Sequence, residues 1–134
     1  MPPEYDLEIL FAICGKTQEL ITIPSRVLNS ANEDFDLKDK TEILDFIATG
    51  GLEGLNHINT RPLEKNSFGV EVSVDAYSFY TGDKYGYFAF YLTPNSDWVI
   101  KSLKRNTDPD PRNFGLGGLW YLRSQLPKGG TENE

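Results

Sequence analysis

Cysteine and histidine are almost missing from this chain, which has one of each, Cys14 and His57. A single cysteine cannot form an internal disulfide, and with a single histidine it leaves no cluster of the ligands that zinc prefers. Long apolar runs are missing too, since none approaches the roughly 20 residues that cross a bilayer. The first ten residues also lack the pattern of a secretory signal. We therefore expect a cytoplasmic protein with no metal, no other cofactor and no membrane contact.

Positive charge is scarce as well: the chain has 13 Lys and Arg but 20 Asp and Glu, which gives a formal net charge of -7. Residues 1–83 hold six cations and fifteen acids, whereas residues 84–128 hold seven cations and three acids. Such asymmetry is typical of a basic face that binds phosphate opposite an acidic face. It is equally consistent with two halves that neutralise each other. The acidity of the whole chain argues against non-specific binding of nucleic acid.

Apolar residues make up 39% of the 134 residues, which is enough for one modest core. We expect one compact domain over residues 1–127 and a disordered acidic tail over residues 128–134. Alternation of apolar residues over 5–14 predicts a strand buried on one face. The β-branched residues 19–23 predict a second strand, which would close a hairpin before Pro24.

Helical signals follow the predicted hairpin. Ser25 is a weak candidate to cap a short helix over residues 26–31, although residues 29–32 fit a loop equally well. Asp36 is predicted to cap a helix over residues 37–49, in which apolar side chains recur at helical spacing. Gly50 and Gly51 are predicted to end that helix. Residues 52–67 are predicted to be a connecting segment, since Pro62 disfavours regular structure before it.

The next part of the chain is rich in β-prone residues. Residues 70–74, 85–93 and 98–103 predict three consecutive antiparallel strands, with turns at 82–83 and 94–96. Pro109 and Pro111 end the sheet, and residues 116–126 are predicted to form a last helix. The predicted fold is therefore α+β, with an antiparallel sheet packed against helices. The sheet would consist of the three-stranded meander and the N-terminal strand or hairpin.

Residues 36–126 contain RPL at 61–63, the stretches FGVEVSV, YGYFAFYL and DWVIKSL, and a basic run that follows them. In the order, spacing and type of these residues, this part of the chain resembles the RelE/ParE-like toxin superfamily, including its phage-derived and HigB-type members. The resemblance implies a compact toxin. The RelE-type branch cuts mRNA in the decoding site of the ribosome, and the ParE-type branch inhibits gyrase. The implied partners are the ribosome with its mRNA, and an antitoxin or another protein.

The resemblance also implies where the site lies. A metal-free ribonuclease needs a group that takes the 2′-hydroxyl proton, cations that stabilise the pentavalent phosphate and a donor for the leaving oxygen. The matching positions lie before the sheet, at the start of its YGYFAFYL strand and at the end of its DWVIKSL strand, whereas Tyr85, Tyr87 and His57 are weaker matches. The expected catalytic residues are Lys101, Lys104, Arg105, Arg61, Tyr87 and His57. The expected binding residues are Lys65, Lys84 and Arg112.

A different class of function stays open, in which the protein is a non-catalytic acidic inhibitor of the immunity or phage-borne type. It would cover a basic partner or imitate nucleic acid, and the acids within residues 33–45 favour it. The two functions predict different surfaces. A nuclease would gather four cations in a groove on the exposed face of the sheet: Arg61, Lys101, Lys104 and Arg105. An acidic inhibitor would leave those cations scattered or paired with acids.

Overall fold

The structure is a computed structural model that describes residues 2–113. Three helices precede most of the sheet: α1 (Leu7–Lys16), α2 (Ser25–Phe35) and α3 (Lys40–Ala48). The strands are β1 (Ile21–Thr22), β2 (Glu53–Pro62), β3 (Ser73–Thr81), β4 (Lys84–Leu92) and β5 (Trp98–Arg105). No helix in this part of the chain has the length and apolarity to cross a membrane. The predicted last helix and acidic tail lie outside the described residues.

The five strands form one sheet in the order β1-β5-β4-β3-β2. Strands β2 to β5 are antiparallel neighbours, whereas β1 runs parallel to β5 through Ile21 and Thr22. The predicted meander is β3-β4-β5, and Gly82, with a φ of 61°, provides the left-handed turn between its first two strands. The α+β class is confirmed, but the sheet is mixed rather than purely antiparallel and has an additional long strand, β2.

The predicted N-terminal strand is wrong, because that segment forms α1. Leu10 and Cys14, four residues apart, are fully buried, and Ile9 is 52% exposed, which is a helical pattern of burial. The Asp6 carboxylate accepts a hydrogen bond from the Glu8 backbone N–H and caps the helix. Nearly every residue from Leu7 onward is apolar, so strand and helix spacings fit equally well. The predicted hairpin is therefore absent: of residues 19–23, only Ile21 and Thr22 form a strand, β1, and residues 19–20 belong to a short 3-10 helix.

The boundaries of α2 and α3 also differ from those predicted. Ser25 is the first residue of α2 rather than its cap, and residues 29–32 are helical. Asp36 was expected to begin the next helix, but with a φ of 59° it ends α2 in the left-handed conformation that Asp tolerates. Asp39 caps α3 instead, since its carboxylate accepts the Glu42 backbone N–H. Gly50, at a φ of 90°, follows the end of α3 as predicted.

Residues 52–67 were predicted to be a connecting segment, but ten of them form β2. This strand lies at the edge of the sheet, where polar side chains and a terminal Pro62 are tolerated. The strand predicted over residues 70–74 begins only at Ser73, and Val70 lies in the preceding loop with 56% of its surface exposed. The pattern of alternating valines therefore extended the prediction too far towards the N-terminus.

The three helices cover one face of the sheet, which we call the inner face. The main core lies between the helices and this face of the sheet. Its fully buried residues include Phe79, Phe88 and Phe90 from the strands, and Leu10, Val27 and Ile43 from the helices. The opposite, outer face carries a smaller buried cluster of Val74, Ala76 and Ala89. Among residues 2–113 no α-helix lies on the outer face, and Arg61 and Lys104 are exposed there.

Helix α2 also completes the edge of β5, because β1 pairs with only Trp98 and Val99. Three side chains of α2, spaced four residues apart, bond to three further backbone groups of β5. Arg26 donates to the Lys101 carbonyl at 2.9 Å, Ser30 donates to the Leu103 carbonyl at 2.9 Å, and Asp34 accepts the Arg105 N–H at 2.8 Å. These bonds satisfy a strand edge that would otherwise be unpaired, and they fix the backbone of the basic segment.

Candidate functional site

The outer face brings Tyr87 of β4 beside Lys104 of β5, since the two residues are paired in the sheet register. The Lys104 ammonium lies 5.7 Å from the centroid of the Tyr87 ring, within cation–π range. On the other side of β4, Arg61 of β2 pairs with Val74 of the outer cluster. Arg61 and Lys104 therefore flank Tyr87 on the same face of the sheet.

A β-bulge brings Lys101 to this face as well. Ala89 pairs with Ser102 and Phe90 pairs with Ile100, so Lys101 is the extra residue of β5. Without that irregularity, Lys101 and Lys104 would point to opposite faces, because they are three residues apart. With it, both line the same depression together with Tyr87. The bulge is thus what gathers the cations of β5.

Three adjacent depressions, which together we call the basic groove, cover the outer face. The Arg61 depression, of about 150 Å³, is lined by Arg61, Glu64, Tyr87 and Lys101 over the apolar cluster. The Lys104 depression, of about 290 Å³, is lined by Tyr87, Lys101, Lys104, Arg105 and Asp108. The Arg26 depression, of about 370 Å³, is lined by Arg26, Leu63, Glu64, Lys65, Tyr91, Val99 and Lys101. Lys101 is common to all three, so it occupies the centre of the groove.

The cations of the groove are not neutralised by neighbouring carboxylates within the described part of the chain. The ion pairs formed among residues 2–113 are Lys38 with Asp36 and Arg112 with Asp110. Glu64 and Asp108 line the groove, but neither has a carboxylate oxygen within 4 Å of a cationic nitrogen there. The groove therefore presents several positive charges to an anionic ligand.

Tyr87 is suited to donate a proton rather than to accept one. Burial raises the pKa of its phenol, Arg61 opposes that rise, and the negative charge of Asp108 adds to it. The hydroxyl consequently keeps its proton through the neutral range. A tyrosine in that state donates a hydrogen bond to a phosphate oxygen or to a departing alkoxide.

His57 lies away from the groove, on the inner face at the edge of the sheet. Its ring centroid is 5.4 Å from that of Tyr77, and its Nε2 is 2.9 Å from Thr60 Oγ1. Thr60 donates its own proton to the buried Asp75 carboxylate at 2.6 Å, so we assign the bridging hydrogen to His57 Nε2. The structure therefore places His57 in a network that joins β2 to β3, apart from Arg61 and Tyr87.

Lys84 also points to the helical side of the sheet. Its ammonium donates to the Asp34 carbonyl at 2.8 Å and lies 5.9 Å from the Phe35 ring centroid. It thereby ties β4 to the last turn of α2, where a cation complements the helix dipole. Arg105 differs, because its backbone bonds to α2 while its exposed side chain lines the Lys104 depression.

Arg112 holds the end of the described chain against the turn between β3 and β4. Its guanidinium carbon lies 3.8 Å from the Tyr80 ring centroid, and its side chain donates to the Gly82 carbonyl at 2.7 Å. It also pairs with Asp110 at 3.3 Å. Although burial acts in the opposite direction, the hydrogen bonds from Arg112 lower the pKa of Asp110. Through these contacts Arg112 stabilises the turn between β3 and β4, and it does not line the groove.

Replacing Arg112 by alanine is expected to lower the free energy of unfolding by about 1 kcal/mol, because a half-exposed cation–π contact and a surface ion pair are lost. Urea unfolding measures the change. Arg61→Ala is the matched comparison and should leave the free energy of unfolding unchanged, because Arg61 forms no ion pair among residues 2–113. Equal destabilisation by the two substitutions would contradict this division of roles.

The sequence alone did not indicate a functional role for Arg26 and Glu64, which both line the groove. Arg26 carries a spacing signal, since Arg26, Ser30 and Asp34 recur every four residues of α2, but their target on β5 cannot be read from the sequence. Glu64 carries no signal and lines both the Arg61 and the Arg26 depressions. Its carboxylate is a proton acceptor beside the cations.

Cys14 is not suited to act as a nucleophile or as a proton acceptor. It lies fully buried between helices, and burial raises the pKa of its thiol to about 12, so the reactive thiolate is suppressed. Within residues 2–113, no three side chains of His, Cys, Asp or Glu lie close enough together to hold a metal ion.

Compared with known proteins, the chain matches no family model, no curated protein and no solved structure. The chemistry of the groove is therefore the basis for a functional assignment.

Proposed function

We propose that this protein is a RelE-like toxin, a metal-independent endoribonuclease that cuts mRNA at the ribosome through the basic groove. The observation that carries the proposal is the convergence of Arg61, Tyr87, Lys101 and Lys104 on one exposed face, without ion pairs among residues 2–113. Phosphodiester cleavage concentrates negative charge on a pentavalent phosphate. Clustered cations with one protonated phenol are the groups that stabilise such a charge.

The reaction needs three roles beside one phosphate. The 2′ oxygen attacks the adjacent phosphorus and loses its proton, the bond from phosphorus to the 5′ oxygen breaks, and that oxygen gains a proton. Lys101 and Arg61, which line one depression with Tyr87, are proposed to bind the phosphate oxygens. Tyr87, whose pKa burial raises, is proposed to protonate the leaving oxygen. Glu64 is the carboxylate of that depression and is proposed to accept the 2′ proton.

The alternative, an acidic inhibitor, receives less support from the acids that suggested it. Asp39 caps α3, and Glu42 accepts the Lys38 backbone N–H at 2.7 Å. Asp34 bonds to the Arg105 backbone, and Asp36 closes α2 and pairs with Lys38. Because these carboxylates have local structural tasks, their density along the sequence does not require a partner. The unpaired cations of the groove therefore favour the nuclease.

Inducible expression in a bacterial host tests this proposal. The wild type is expected to stop growth and reduce bulk translation, because mRNA is cut on the ribosome. The variant Lys101→Ala/Lys104→Ala/Arg105→Ala should be harmless, since it removes the cations of β5. The matched control Lys16→Ala/Lys38→Ala/Lys40→Ala removes three cations from the helical side and should remain toxic. A folded wild type without effect on growth, or a toxic groove variant, would contradict the proposal.

A further inference from the structure

The Arg26 depression is the largest of the three that form the groove. The chemistry proposed above uses Lys101 and Glu64 of its lining, but neither Arg26 nor Lys65. Three separate segments of the chain contribute a cation to it: Arg26 from α2, Lys65 from the segment between β2 and β3, and Lys101 from β5. Arg26 and Lys65 are exposed, whereas Lys101 is partly buried. A site that draws cations from three segments around about 370 Å³ is large enough for more than a single ion.

Arg26 is held in place rather than freely mobile. One of its terminal nitrogens donates to the Lys101 carbonyl at 2.9 Å, which fixes the guanidinium beside the lysine. A guanidinium has five donor hydrogens in a rigid plane, so most of them remain available for a ligand. Among residues 2–113, neither Arg26 nor Lys65 has a carboxylate oxygen within 4 Å. The depression is thus prepared for a phosphate-sized anion.

The floor of the same depression is apolar and aromatic. Tyr91 of β4 and Val99 of β5 are cross-strand neighbours, and Leu63 packs with Tyr91 against the outer cluster. An aromatic ring beside cations is the combination with which proteins bind single-stranded nucleic acid, through base stacking and phosphate contacts. A free inorganic anion would use the cations but would have no need of the aromatic floor.

The position of the depression relative to the rest of the groove defines its role. Val99 lines the Arg26 depression, Lys104 lines the depression of the same name, and Lys101 lines both. Val99 and Lys104 pair with Tyr91 and Tyr87, which are four residues apart on β4, so the two positions are about 13 Å apart at roughly 3.3 Å per residue. We infer that the Arg26 depression is a second nucleotide subsite, which binds the phosphate and base next to the nucleotide that is cleaved. This inference rests on the proposed function, because it takes single-stranded RNA as the ligand.

Binding of a short single-stranded 2′-O-methyl RNA tests the subsite separately from cleavage, since a methylated 2′ oxygen has no proton to lose. Fluorescence anisotropy over a series of salt concentrations compares the wild type with Arg26→Gln/Lys65→Gln. Glutamine removes both positive charges and keeps a polar side chain at each position. The control Lys16→Gln/Lys38→Gln removes two cations from the helical side of the molecule.

The subsite predicts that the groove variant binds about 10-fold more weakly or worse at low salt, and that its salt slope falls by about 1.4, because two phosphate contacts are lost. The control should match the wild type. Tyr91→Leu should weaken binding without changing the slope, since it removes stacking and no charge. An unchanged slope and affinity in Arg26→Gln/Lys65→Gln would overturn the subsite, as would a wild type that shows no salt-dependent binding.

Failure of the subsite and failure of the nuclease are distinguishable. If the wild type binds the methylated RNA through Arg26 and Lys65 but leaves ordinary mRNA intact, the subsite stands and the nuclease is refuted. If the wild type cleaves mRNA and Arg26→Gln/Lys65→Gln binds and cleaves identically, the nuclease stands and the subsite is refuted.

Discussion

Under the proposed nuclease function, Lys101→Gln is expected to reduce RNA cleavage about 100-fold or more, which is the typical loss when one preorganised donor to a developing charge is removed. Lys101 lines all three depressions, and a bulge holds it between Tyr87 and the α2 edge, so no neighbouring cation can take its place. Glutamine preserves most of the length of the side chain and removes its charge. Single-turnover cleavage rates of purified variants measure the loss.

Two comparisons make the Lys101 result specific. Lys101→Arg keeps a positive charge and should retain much more cleavage than Lys101→Gln. Lys38→Gln, which removes an exposed lysine paired with Asp36, should cleave like the wild type. Unfolding curves of the three variants should coincide with that of the wild type. Wild-type cleavage by Lys101→Gln would exclude Lys101 from the site.

Asp75→Ala is expected to have the largest effect on stability, a loss of about 3 kcal/mol in the free energy of unfolding. The Asp75 carboxylate is fully buried and accepts the backbone N–H groups of Glu4 and Tyr5 at 2.9 Å and the Thr60 hydroxyl at 2.6 Å. Alanine leaves these donors without their acceptor and releases the segment before α1 from β3. Urea unfolding followed by far-UV circular dichroism measures the loss.

The control for Asp75 is Asp83→Ala, in the exposed turn between β3 and β4, which should change stability by no more than about 0.5 kcal/mol. Asp75→Asn should fall between the two, since an amide oxygen still accepts one or two of the same bonds. If Asp75→Ala unfolds at the same urea concentration as the wild type, the buried network does not anchor the N-terminal segment.

The sequence was most informative where side-chain spacing excludes alternatives. Residues 85–93 and 98–103 are β-prone and bounded by turn residues, and the two strands predicted there are β4 (Lys84–Leu92) and β5 (Trp98–Arg105). The segment before Lys16 was predicted wrongly, because a nearly continuous apolar run has no distinguishing period. Strand β2 was missed because it lies at an edge, where a polar strand resembles a loop in composition.

The candidate site was predictable in composition but not in geometry. By simple alternation, His57 and Arg61 share a face of β2, but a register shift between His57 and Asn59 puts them on opposite faces. On β5 the irregularity has the opposite effect: simple alternation would put Lys101 and Lys104 on opposite faces, but the bulge at Lys101 puts them on the same face. A one-residue irregularity decides which side chains meet, and residue types alone do not reveal it. The RelE-like resemblance itself stays a prediction.

The ends of the RNA fragments made by the purified protein, added to ribosomes translating a defined mRNA, test the central claim most directly. Attack by the 2′ oxygen predicts new 5′-hydroxyl ends and 2′,3′-cyclic phosphates. It also predicts that Lys101→Gln leaves the message intact and that one 2′-deoxy nucleotide at the cut position prevents cleavage. Uncut mRNA with the folded wild type, or fragments with 5′-phosphate ends, would contradict the assignment of the basic groove as a metal-independent ribonuclease site.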